Sequence, residues 1–245
     1  MSRKIKTTSG TFVDIKDRKA VVNGAFVNIQ RRIVKTASGF ETVWERQSQT
    51  YGLVFTGNQY INSLINGSSE LRVVADVSMN TVPGTTSKTI FGTRTGAAEG
   101  SFSFWQVTNS APYNSRTDFN ASNGTVLRTT APFEQRLVID KNKNVTSIDG
   151  VIVFTSPYSS FAGSLPLFIG TMDNNGAVYA SGFEGIMYSC QIYENDILVR
   201  DFVPVPQGST AYSSTAAPSH CMWDLVGEQY YVNANSGSFD IVEAL

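Results

Sequence analysis

The side chains able to do chemistry are few and dispersed. His220 is the single histidine and stands beside Cys221. A Ser-His-Asp system would have to be built on it, and nothing around it supplies the partners such a system needs. The densest acidic group, Glu194, Asp196 and Asp201, falls at a turn and its flank, where solvated charge is ordinary. No catalytic residues are expected. Asp173-Asn174-Asn175-Gly176 gathers side-chain oxygens that suit calcium and reads equally as a plain β-turn. The expectation is no cofactor, with calcium at Asp173 and Asn174 left open. Cys190 and Cys221 are too few for a disulfide framework and read as buried free thiols. Sugar binding needs an aromatic platform with polar neighbours. Trp105, Tyr113, Arg116, Tyr158 and Tyr212 can supply one, although Trp105 reads equally well as core.

The elements that must hold these residues are strands. Charged residues make up 16% of the chain against 41% hydrophobic, so a substantial core is available. Long runs of Ala, Leu, Glu and Lys are missing, which leaves helix a minor part. Leu71–Met79 alternates strongly and reads as a central strand; Arg136–Asp140, Val145–Ile148 and Val151–Phe154 follow, with Asp149-Gly150 suited to a type I′ hairpin turn. In Gly182–Tyr193, period-two spacing places Ile186, Tyr188, Cys190 and Ile192 on one face. Asn195-Asp196 forms the next hairpin loop, and Pro204 and Pro206 are expected to stop the ladder. About twelve strands with short turns predict an all-β two-sheet jelly roll over residues 48–245.

Residues 1–47 differ from the rest. They carry ten Lys or Arg against four Asp or Glu, a net of +6, whereas 48–245 carry a net of −7. Gly10-Thr11-Phe12-Val13 recurs as Gly24-Ala25-Phe26-Val27 and, loosely, as Gly39–Trp44. This predicts a small β-meander whose apolar face, Phe12, Phe26 and Trp44, is too small to stand alone and serves attachment or oligomerisation. No recognition motif points to nucleic acid and no apolar run is long enough to enter a membrane. The charged start, Met1–Lys6, lacks a following apolar segment, which predicts folding in a cytoplasm.

Phe183-x-Gly185 leading into Gln191-Ile192-Tyr193 resembles a late strand of laminin G-like and concanavalin A-like jelly rolls. Its continuation through Leu198–Pro204, Met222–Val226, Tyr230–Asn233 and Ser236–Phe239 resembles the tail of such domains in bacteriophage structural proteins. The resemblance is motif-specific only in the final quarter. It implies a non-enzymatic virion fibre or tail component, made in the host cytoplasm, whose jelly roll binds a host-surface glycan. Residues 1–47 would contact other virion proteins, in a homotrimer. The alternative it leaves open is a structural or decoration protein of the capsid or baseplate that uses the fold for protein contacts only. The Glu-x-Asp-x-Glu run of the related glucanases does not occur here.

Overall fold

The computed structural model describes residues 51–80, 87–96, 100–106, 113–128 and 135–244, and the six strands of an N-terminal unit. For those six strands, and for 113–114, 123 and 125–128, the description is of backbone alone. The chain divides into two compact units, Met1–Thr50 and Tyr51–Leu245.

In the first unit the strands pair two by two: β1 (Lys4–Lys6) with β2 (Phe12–Asp14), β3 (Lys19–Val22) with β4 (Ala25–Asn28), and β5 (Arg31–Thr36) with β6 (Gly39–Glu45). Each copy of the sequence repeat thus supplies the second strand of one hairpin. Phe12 lies opposite Lys6, Phe26 opposite Val21 and Trp44 opposite Arg32. The side chains of Phe12, Phe26 and Trp44, and hence the apolar face expected of them, lie outside the described residues.

The second unit is a two-sheet jelly roll without described helices. Its strands are β7 (Tyr51–Thr56), β8 (Ile61–Ser68), β9 (Leu71–Met79), β10 (Lys88–Arg94), β11 (Phe102–Gln106), β12 (Tyr113–Phe119), β13 (Ser122–Arg128), β14 (Arg136–Asn142), β15 (Val145–Ile148), β16 (Val151–Thr155), β17 (Ala162–Ile169), β18 (Met172–Asn174), β19 (Ala177–Val178), β20 (Glu184–Glu194), β21 (Ile197–Val205), β22 (Cys221–Asp224), β23 (Gln229–Tyr231) and β24 (Asp240–Glu243). One sheet of eight runs β13-β12-β11-β10-β17-β8, with β18 and β19 added at β10. The other, of ten, runs β16-β15-β14-β9-β20-β21-β22-β23, with β7 beside β20 and β24 beside β7. Between the sheets lies one core that includes Phe55, Phe91, Phe102, Phe104, Phe119, Phe183, Phe202 and Phe239.

β20 is the centre of the larger sheet, with β9 along one edge and β7 then β21 along the other. The alternation expected there holds only in part. A β-bulge falls between Met187 and Ser189 and inverts the phase. Met187, Cys190 and Ile192 enter the core, while Ile186 and Tyr188 point outward against Gly52 and are not on the face of Cys190 and Ile192. Pro204 does not stop the ladder either: β21 pairs with β22 through Pro204 to Val205. The paired stretch with β20 ends at Phe202, so the absent N–H has no ladder partner to lose. The hairpin turns follow their sequence chemistry. Asp149, Gly150, Asn195 and Asp196 all have positive φ, at 51°, 80°, 51° and 62°. Cys190 and Cys221 are buried and unpaired, and burial pushes the Cys221 thiol up to about 11.

Candidate functional site

The outer face of the eight-stranded sheet carries a group of polar and aromatic side chains. On β11, Phe102 and Phe104 face the core, so alternation turns Ser103 and Trp105 outward; on β12 it turns Arg116 and Asp118 the same way. Register sets Trp105 opposite Arg116 and Ser103 opposite Asp118. Gly92 lies opposite Ser103, and a Cβ there would stand 2.7 Å from the Ser103 Cβ and 3.2 Å from Met172. Its bareness lets β18 run parallel to β10, which puts Asn174 beside Arg94.

These side chains lock one another. The Trp105 indole N–H donates to Ser103 Oγ, and Ser103 Oγ donates to Asp118 Oδ2 at 2.8 Å. Arg116 Nε donates to Asp118 Oδ1 at 2.7 Å, so both oxygens of this buried carboxylate are occupied. Arg94 Nε donates to Asn174 Oδ1 at 2.7 Å. The two guanidinium carbons lie 5.9 and 5.8 Å from the Trp105 ring centroid, within cation–π range. The half-buried ring of Tyr179 meets Trp105 edge-on at 5.0 Å. Trp105 itself is only 5% exposed: it is the floor on which the arginines rest rather than an open platform.

Beside the arginines is a shallow surface depression lined by Arg94, Ser101, Arg116, Asp118, Asn120, Ala121 and Ser122. Its rim is the β12–β13 turn, where Asn120 takes a φ of 50°. Asn120 Oδ1 accepts from the Gly100 N–H at 3.0 Å, and its Nδ2 donates to Ser159 Oγ at 2.9 Å. The lining is almost wholly polar, and Arg116 is 40% exposed at its side chain, so hydrogen-bonding groups face solvent in a fixed array. Such an array can bind hydroxyls and oxyanions.

Of the residues expected to bind sugar, the fold brings Trp105 and Arg116 together. The Tyr113 side chain lies outside the described residues; its backbone is at the start of β12. Tyr158 is exposed and its hydroxyl donates to Glu70, away from the depression, although its neighbour Ser159 buttresses Asn120. Tyr212 stacks on Trp223 at 6.2 Å, and Trp223 meets Tyr230 edge-on at 4.6 Å; the three form a separate cluster under the loop before β22. Arg94, Asp118 and Tyr179 were not marked by sequence. Arg94 and Tyr179 reach Trp105 through the β10–β18 pairing, which local spacing does not encode.

Asp173 and Asn174 are at the same edge, each with one side-chain oxygen engaged. Asp173 Oδ1 accepts from the Gly176 N–H at 2.8 Å, closing the turn, and burial pushes its carboxyl up. Asn174 Oδ1 is held by the Arg94 cation. Among the described residues no three His, Cys, Asp or Glu side chains converge to hold a metal ion. The acidic group Glu194, Asp196 and Asp201 is dispersed: Asp196 is exposed at the hairpin turn, and Asp201 is buried within β21 of the ten-stranded sheet. His220 Nδ1 accepts from the Gln207 N–H at 3.1 Å.

No family model matches the chain. No curated protein sequence matches it either. Among solved structures, it is similar to a native heptameric SAP-like pentraxin from Limulus polyphemus, at a TM-score of 0.50 and 12% identity over 80% of this chain and 95% of that one. It is also similar to a Bacteroides ovatus protein assigned to the carbohydrate-binding class, at a TM-score of 0.54 and 10% identity, covering 79% of this chain and 60% of that one. At such identities the likeness shows the fold alone, an all-β two-sheet jelly roll.

Proposed function

We propose that the second unit is a carbohydrate-binding jelly roll, and that the protein is a virion fibre or tail component presenting this face to a host-surface glycan. The observation that carries the binding reading is the depression lined by Arg94, Ser101, Arg116, Asp118, Asn120 and Ser122, where donors and acceptors are fixed and both arginines are held against the neighbouring Trp105 ring. Sugars are recognised by such combinations of aromatic faces and preset hydrogen-bonding groups. The Bacteroides ovatus structure that shares the fold is assigned to carbohydrate binding, which supports the same reading. Binding rather than hydrolysis is favoured because Asp118 is fully engaged by Ser103 and Arg116 and has no second carboxylate in the lining.

The virion setting rests on the resemblance of the final quarter of the sequence and on the separate basic repeat unit. In this proposal residues 1–47 contact other virion proteins and assemble the chain as a homotrimer through Phe12, Phe26 and Trp44. Closed rotational symmetry is the usual outcome for identical chains. The test is a glycan array probed with the full chain and with Arg116→Gln. Saccharide binding by the full chain that the variant loses supports the proposal. Binding to no glycan leaves the protein-contact alternative in its place.

A further inference from the structure

Among the described residues of the second unit, four outward arginines divide into two kinds. On the ten-stranded sheet, Arg72 bonds Asp140 through two nitrogens at 2.9 and 2.7 Å, and Arg136 bonds Asp76 likewise at 2.8 and 2.7 Å. Each is matched there by a carboxylate of its own. At the depression the matching is incomplete. Arg116 gives Asp118 a single nitrogen, Nε, and Arg94 gives its Nε to a neutral amide. Among the described residues, the Nη groups of both have no bonded acceptor. Two guanidiniums therefore face one carboxylate whose oxygens are both taken, and the lining keeps an excess positive charge.

Arginine forks pair with planar oxyanions through parallel N–H donors, and arginine sheds its water more readily than lysine. Both forks approach one buried indole, which fixes their spacing before any ligand arrives. We infer that the depression selects acidic saccharides, sugars bearing a carboxylate or a sulfate, with the oxyanion held between Arg94 and Arg116 and the hydroxyls on Asn120, Ser101 and Ser122. This rests on the carbohydrate-binding reading and adds the ligand's charge class to it.

The experiment measures the affinity of the full chain for matched pairs: sialyllactose against lactose, sulfated lactose against lactose, and oligogalacturonate against its methyl ester. The expected result is about 10-fold or more tighter binding to the acidic member of at least one pair, as for hydrogen bonds to a charged group. The pair that responds distinguishes carboxylate from sulfate. Arg94→Gln and Arg116→Gln should each remove that preference, while Arg136→Gln, which lowers the net charge equally, should keep it. Thermal unfolding of each variant checks that the fold persists. Equal binding to acidic and neutral members overturns the inference and leaves the carbohydrate reading standing. A preference that Arg136→Gln weakens as much as Arg94→Gln does also overturns it, because the charge would then act without a site. Binding to none of these sugars overturns the inference, and silence across the whole glycan array then overturns the carbohydrate reading too.

Discussion

Lys141 shows how far a single residue can be read from sequence. It shares a face with Leu137 and Ile139 by strand alternation, and the structure buries it completely in the same place. Its Nζ donates to Thr117 Oγ1 at 2.9 Å and lies 4.7 Å from the Phe102 ring, and desolvation pushes its pKa down to about 7. A folded-state value below the unfolded one means the folded protein binds fewer protons between those two pH values. Stability should therefore be fully present above about pH 10.5 and fall as the pH drops towards 7. Chemical denaturation should find the protein about 2 kcal/mol more stable at pH 9 than at pH 7 from this group. Lys141→Met should remove that difference; a variant retaining it would assign the pH dependence elsewhere. The site residues were legible to different degrees. Trp105 and Arg116 stood out as an aromatic and a cation able to hold a sugar, although not as the opposite pair that β11 and β12 make of them. Arg94, Asp118 and Tyr179 did not, because their roles depend on long-range pairing and on which face each strand turns outward.

At the scale of elements, turn chemistry was legible and strand phase was not always so. Asp149-Gly150 and Asn195-Asp196 form the hairpins their types favour, since these residues tolerate positive φ at little strain. The bulge at Tyr188 escaped notice because an extra residue leaves no mark in an apolar run. It places Tyr188 under Arg136, whose guanidinium lies 4.1 Å from the ring centroid, on the solvent side of the sheet. Close by, Gly185 has a φ of 155°, and a Cβ there would stand 2.3 Å from the Ser78 carbonyl oxygen. Gly185→Ala should destabilise the jelly roll by about 1–3 kcal/mol, as overpacking does elsewhere. Gly150→Ala, where a Cβ meets open space, should cost only about 1 kcal/mol through its φ of 80°. Thermal unfolding of the pair checks the order; equal losses would contradict the backbone contact at Gly185.

For the whole molecule, the sequence repeat and the charge split both mark residues 1–47 as distinct, and the jelly roll was legible from its alternation and turns. Which faces and edges the strands share was not, since sheet order joins residues far apart in the chain: β10 pairs with β18, and β9 with β20. The proposed division of labour predicts that residues 51–245 alone remain folded and monomeric by light scattering, whereas the full chain runs as a trimer. A trimeric truncation would move assembly into the jelly roll. The central claim concerns where a ligand sits. The most direct measurement is a crystal structure of the full chain with the tightest saccharide from the array. Sugar density is expected in the depression, within hydrogen-bonding distance of Arg94 and Arg116. A sugar bound instead at the Tyr212–Trp223 cluster or beside Tyr158, with the depression empty, would contradict it.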